Sequence, residues 1–77
     1  MSGGVLRWRK FSPIDRDFSI YELLEGEVVV LDITRDENLG FEIAFHQGAS
    51  GRVFDLATIE RMIAEAKILL EKEEASD

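Results

Sequence analysis

The chain of 77 residues contains no cysteine and only one histidine. Without cysteine it can form neither disulfide bonds nor zinc sites with thiolate ligands. One imidazole also excludes a zinc site built from several histidines of a single chain. Small domains commonly gain stability from a disulfide, a metal or a partner subunit. We therefore expect no metal and no cofactor, and a partner subunit remains as the expected source of extra stability.

Long apolar runs are also missing. No run approaches the ~20 residues that span a bilayer. Residues 1–4 lack the charged segment and the following apolar segment of a secretory signal. We therefore expect a cytoplasmic protein that does not bind a membrane.

The net charge of −7 is unevenly distributed. Residues 1–16 carry four basic residues and one acidic residue, whereas residues 17–77 carry five basic and fifteen acidic residues. An acidic domain is repelled by nucleic-acid phosphates and attracted to basic partners. Segment 7–11 interleaves basic and aromatic residues, as single-strand nucleic-acid platforms do, but the overall charge favours a charged edge strand there.

Hydrophobic periodicity and turn residues predict four strands followed by one helix. The order favours an α+β fold, an antiparallel meander with the C-terminal helix packed on one face. We expect a single domain over 1–77, with 1–4 and 73–77 frayed. The predicted strands cover 5–11, 18–24, 27–34 and 41–46.

The two central strands predict a hairpin with a two-residue turn at 25–26, where glycine supplies a positive φ. This turn places Leu23 opposite Val28 and Tyr21 opposite Val30, all on one face of the sheet. In the last strand, the alternation predicts that the side chains of 41, 43 and 45 point inward.

The helix has the strongest sequence signal. Asp55 is a favourable N-cap, and Phe54 and Ile59 occupy the positions of a hydrophobic staple. An apolar stripe follows at three- and four-residue spacing. Its members are Leu56, Ile59, Met62, Ile63, Ala66, Leu69 and Leu70.

A single helix covers one face of a sheet, and the predicted register leaves apolar residues on the other face. Exposed apolar patches usually mark interfaces, so we expect this face to bind a protein partner, most simply a second copy in a homodimer. The alternative is that the N-terminal segment folds back over it. The predicted interface residues are Trp8, Tyr21, Leu23, Val28, Val30 and Ala44.

The sequence predicts a small acidic non-enzymatic interaction module, acting as a regulatory or neutralising partner or as an assembly subunit. His46, Ser50 and Asp55 resemble a catalytic triad in composition only, because no nucleophile elbow accompanies them. The alternative function is anion or nucleotide binding by the loop from Gly48 to Gly51, with His46 and Arg52 as ligands.

Overall fold

Four strands and one α-helix make up the computed structural model, which describes residues 5–36, 38 and 40–73. The strands form one antiparallel sheet in chain order, and the helix follows them. The predicted α+β meander with a C-terminal helix is therefore confirmed. The elements are β1 (Leu6–Phe11), β2 (Ile20–Glu25), β3 (Val28–Asp36), β4 (Gly40–Phe45), a 3-10 helix (Gln47–Ala49) and α1 (Leu56–Lys72).

The turn of the β2–β3 hairpin begins one residue later than predicted. Glu25 pairs with Val28, so the turn residues are Gly26 and Glu27. Gly26 has φ of 62°, which matches a type II′ turn with glycine at its first central position. In the predicted turn at 25–26, Gly26 would have occupied the second central position. This shift alone moves the pairing by two positions and leaves each side chain on its predicted face.

A β-bulge then reverses the faces. The register shifts between Leu23 and Leu24, so that Leu24 lies opposite Val29 while Leu23 lies opposite Leu31. The extra residue on β3 is Val30, and one inserted residue exchanges the two faces of everything beyond it. The predicted pairs of Leu23 and its neighbours are therefore wrong.

The core lies between α1 and the face of the sheet that carries Leu23 and Leu31. Three residues of the helix stripe, Met62, Ala66 and Leu70, are buried there. The indole Nε1 of Trp8 donates a hydrogen bond of 3.0 Å to the main-chain oxygen of Met62, which fastens β1 to the helix. The other buried members of the core are Phe18, Tyr21, Val30 and Ile33.

Both ends of α1 are held by carboxylates. Asp55 is the N-cap, as predicted, and its side chain accepts a hydrogen bond of 3.0 Å from Thr58 N. At the other end, the carboxylate of Glu73 accepts hydrogen bonds from Ser19 N and from the Tyr21 hydroxyl, both 3.0 Å long. Glu73, the first of the C-terminal residues predicted to fray, is therefore in contact with Ser19 and Tyr21. The remaining residues predicted to fray, 1–4 and 74–77, lie outside the described residues.

Candidate protein-interaction surface

The residues predicted to form an exposed apolar face lie mostly inside the protein. Tyr21 is 6% exposed, and Leu23 and Val30 are fully buried in the core. The bulge causes this, because it turns Tyr21 and Leu23 towards the helix instead of away from it. The prediction that these side chains form an exposed face is wrong.

The other three predicted interface residues are distributed differently. Trp8 and Val28 are half-buried and pack against the core. Ala44 is exposed on the opposite face of the sheet, where it pairs with Asp32 of β3. The structure therefore does not bring the six predicted residues together on one surface.

The face of the sheet away from α1 carries a row of charged side chains. Arg9 of β1 forms a salt bridge of 2.7 Å with Glu22 of β2. In the next strand, the Asp32 carboxylate lies 2.7 Å from Nε2 of His46. A polar, water-facing side is typical of an antiparallel sheet covered by a helix on its other side.

The two side chains predicted to bind an anion each contact a carboxylate of the protein. His46 contacts Asp32, as described above, and the guanidinium of Arg52 is paired with the buried carboxylate of Glu25. Arg52 also donates to the main-chain oxygen of Gly48. An anion approaching either side chain would have to displace the carboxylate that already contacts it.

The loop after β4 is positioned by a close approach of Gly48 to the main chain of β3. A Cβ atom at Gly48 would lie 2.5 Å from Cγ1 of Val28 and closer still to the carbonyl oxygen of Val29. This contact explains the glycine at position 48 by packing alone. Asp55, a member of the predicted triad-like trio, serves as the helix cap, and its pKa is lowered by hydrogen bonds from the main chain and side chain of Thr58.

Within the described part of the chain, no three His, Cys, Asp or Glu side chains cluster as metal ligands. The sequence 36–40 resembles the beginning of a calcium loop, but Asp36 Oδ1 accepts a hydrogen bond of 2.8 Å from Asn38 N and forms an Asx turn. Among the same described residues, no helix has the length and apolar character needed to cross a bilayer.

An apolar surface is present on β4, at the edge of the sheet. Phe41, Ile43 and Phe45 point to the helix side, since Ile43 and Phe45 pair with the core residues Ile33 and Leu31. We call these three side chains the β4 face. They were predicted to point inward, and they do lie on the core side. However, Ile43 is 44% exposed and Phe45 is 72% exposed.

The helix leaves the β4 face open because it packs over the middle of the sheet. Lys67 of α1 places its ammonium 5.3 Å from the centre of the Phe41 ring, a cation–π contact that marks the side of α1 facing β4. Ile63 lies one turn earlier on that side and is half-buried. A shallow surface groove of about 380 Å³ runs along α1 and includes Ile63. The groove is lined by Glu60, Ile63, Ala64, Lys67, Ile68 and Glu71.

The two edges of the sheet differ in charge. β1 carries Arg7, Arg9 and Lys10, and cationic side chains protect an edge from pairing with other chains. β4 carries one charged residue, Glu42, among apolar ones. Sequence periodicity places Ile43 and Phe45 on the correct face, but it contains no signal for how far α1 extends across the sheet.

Comparison with protein-family models, with curated proteins and with solved structures finds no match to this chain.

Proposed function

We propose that this protein is a non-catalytic interaction module of the cytoplasm, which binds another polypeptide at the edge strand β4. Binding would add a strand to the sheet and cover the β4 face. In this role the protein is an assembly subunit or a regulatory partner of another protein.

The observation that carries the proposal is the combination of an open strand edge with exposed apolar side chains. In the described sheet, β4 has a paired neighbour on one side only, β3. Its outer side therefore presents main-chain N–H and C=O groups that another strand can pair with. Ile43 and Phe45 add apolar area next to those groups, and burying apolar area is the main favourable term in protein association.

The side-chain pairings elsewhere also favour binding over catalysis. His46 and Arg52, the residues best suited to act on a ligand, contact Asp32 and Glu25. The Arg9–Glu22 pair lies on the same face as His46. These polar side chains already contact carboxylates of the protein, whereas Ile43 and Phe45 of the β4 face remain exposed.

Site-specific photo-cross-linking in the native cell tests this proposal. A benzoylphenylalanine at position 45 replaces one exposed aromatic ring by another, and the same group at Val53 is the matched control, because Val53 is 88% exposed and lies outside β4. We expect a polypeptide adduct at position 45 that is absent at position 53. We also expect Ile43→Lys to abolish the adduct. Equal adducts at both positions, or none at position 45, would contradict the proposal.

A further inference from the structure

We infer that the polypeptide bound at β4 is a second copy of this chain, paired antiparallel to the first through a two-fold axis at Ile43. This inference rests on the proposed function, because it specifies the partner of the same strand.

The sequence of β4 is self-complementary about Ile43. In an antiparallel pair centred there, Ile43 lies opposite its own copy and Phe41 lies opposite Phe45 of the second copy. Glu42 lies opposite Ala44. Each apolar side chain of the β4 face therefore meets another apolar side chain, and each carboxylate meets a methyl group.

Charge disfavours the neighbouring register centred on Glu42 and also disfavours pairing through β1. Centring the pair on Glu42 would place two carboxylates directly opposite each other, which is destabilising across a strand pair. Pairing two copies through β1 would bring Arg7, Arg9 and Lys10 of one copy near the same residues of the other. The charges thus favour β4 over β1, and they favour the register centred on Ile43 over the one centred on Glu42.

The resulting dimer has one continuous sheet of eight strands with both helices on the same side. A two-fold axis perpendicular to the sheet keeps the β4 face of each copy on its helix side. The two β4 faces then form one continuous apolar surface between the two helices, and Lys67 and Ile63 of each copy flank this surface. A symmetric pair of this kind closes, so association ends at two copies.

Because of the net charge, the salt dependence of dimerisation distinguishes apolar association from association by opposite charges. Each copy carries a net charge of −7, so two copies repel each other at low ionic strength. The interface itself is made by main-chain hydrogen bonds and apolar contacts. We therefore expect dimerisation to strengthen as salt is added, whereas binding driven by opposite charges would weaken. One strand pair is small compared with the ~800 Å² per partner of a standard interface, so we expect weak association, with a dissociation constant in the micromolar range or above.

The register is tested by two variants at one position. Ala44→Glu places a carboxylate opposite Glu42 of the second copy, and Ala44→Lys places an ammonium there. Because the two-fold axis creates this contact twice, we expect Ala44→Lys to dimerise about twofold to thirtyfold more tightly than the wild type and Ala44→Glu to dimerise more weakly than the wild type. Ala44 also lies opposite Asp32 in its own strand pair, so circular dichroism first confirms that both variants are folded.

Sedimentation equilibrium of the full chain measures these constants. We expect a monomer–dimer equilibrium, at least tenfold weakening by Phe45→Lys, and no change for the control Val53→Lys. The inference would be overturned if the wild type stayed monomeric up to about 1 mM, since only affinities weaker than −4.1 kcal/mol escape detection at that concentration. Equal dissociation constants for the two Ala44 variants would also overturn it, as would assemblies larger than a dimer. If the adduct at position 45 contains a different polypeptide, β4 is still a binding site, but the inference that its partner is a second copy of this chain is wrong.

Discussion

The contact of Glu73 with β2 fastens the end of α1, and Glu73→Gln tests it. The carboxylate receives hydrogen bonds from Ser19 N and the Tyr21 hydroxyl, and Nζ of Lys10 lies 3.9 Å away. Burial raises the pKa of Glu73, but the hydrogen bonds from Ser19 and Tyr21, with the charge of Lys10, outweigh burial and lower the pKa below its ordinary value of 4.5. The ionised form is therefore the one that stabilises the fold.

The size of the effect follows from the two hydrogen bonds. A hydrogen bond to a charged group contributes about 1.5–3 kcal/mol. The Glu73 side chain is 21% exposed, so water weakens the contact, and glutamine keeps a carbonyl oxygen that accepts one bond. We expect Glu73→Gln to lower the free energy of unfolding at neutral pH by about 1–2 kcal/mol, which lowers Tm by about 4–16 °C in a domain of this size.

The pH dependence has opposite signs for the two partners. Because the folded-state pKa of Glu73 is lowered, its stabilisation is complete above pH 4.5 and is lost as the pH falls through the lower, folded-state value. Burial raises the pKa of the Tyr21 hydroxyl above 10.0, and its hydrogen bond to Glu73 and the negative charge of that residue raise it further. The stabilisation from protonated Tyr21 is therefore present below pH 10.0 and is lost as the pH rises through the raised pKa.

Two measurements check these expectations. Urea unfolding as a function of pH gives the free-energy difference between the wild type and Glu73→Gln, which should shrink in acid. Tyr21 is the only tyrosine in the chain, so tyrosinate absorbance reports its pKa alone, and this pKa should fall in the variant. The control is Glu71→Gln, an exposed glutamate in the same turn. If both variants lose the same stability and the tyrosine titration does not change, the reasoning is refuted.

Two further predictions concern packing. Gly48→Ala should lower the free energy of unfolding by about 1–3 kcal/mol, because the methyl group of the new alanine would collide with Val28 and with the main chain of Val29. Urea unfolding measures this loss, and an unchanged midpoint would show that the loop moves aside without cost. Trp8→Phe should lower the free energy of unfolding by about 1 kcal/mol or more, because the main-chain oxygen of Met62 loses its indole donor. Thermal unfolding measures the loss. A Tm equal to that of the wild type would mean that water replaces the indole.

The helix could be predicted because local chemistry determines it, and the order of the strands could be predicted because sequential strands usually pair with their neighbours. Asp55 caps α1 through Thr58, as its side chain and position indicate. The spacing of Met62, Ala66 and Leu70 identifies the buried side of the helix. These features depend on residues three or four positions apart, where the sequence pattern is direct evidence of contact.

The faces of the hairpin could not be predicted because one inserted residue determines them. In the segment 28–31 every residue is apolar, so its composition gives no indication of where a bulge falls. Both Val30 and Leu31 are buried in the core, which strict alternation forbids. The same bulge places Tyr21 and Leu23 in the core instead of at the predicted interface, whereas Ile43 and Phe45 of β4 are exposed.

The Trp8–Met62 contact joins residues 54 positions apart and ties the first strand to the last helix. The sheet therefore buries its helix side only when the C-terminal helix docks. Any folding intermediate in which the strands have paired before α1 docks exposes Leu23 and Leu31 to water, next to the unpaired edge of β4. A chaperone that shields apolar surface would act most effectively on that intermediate.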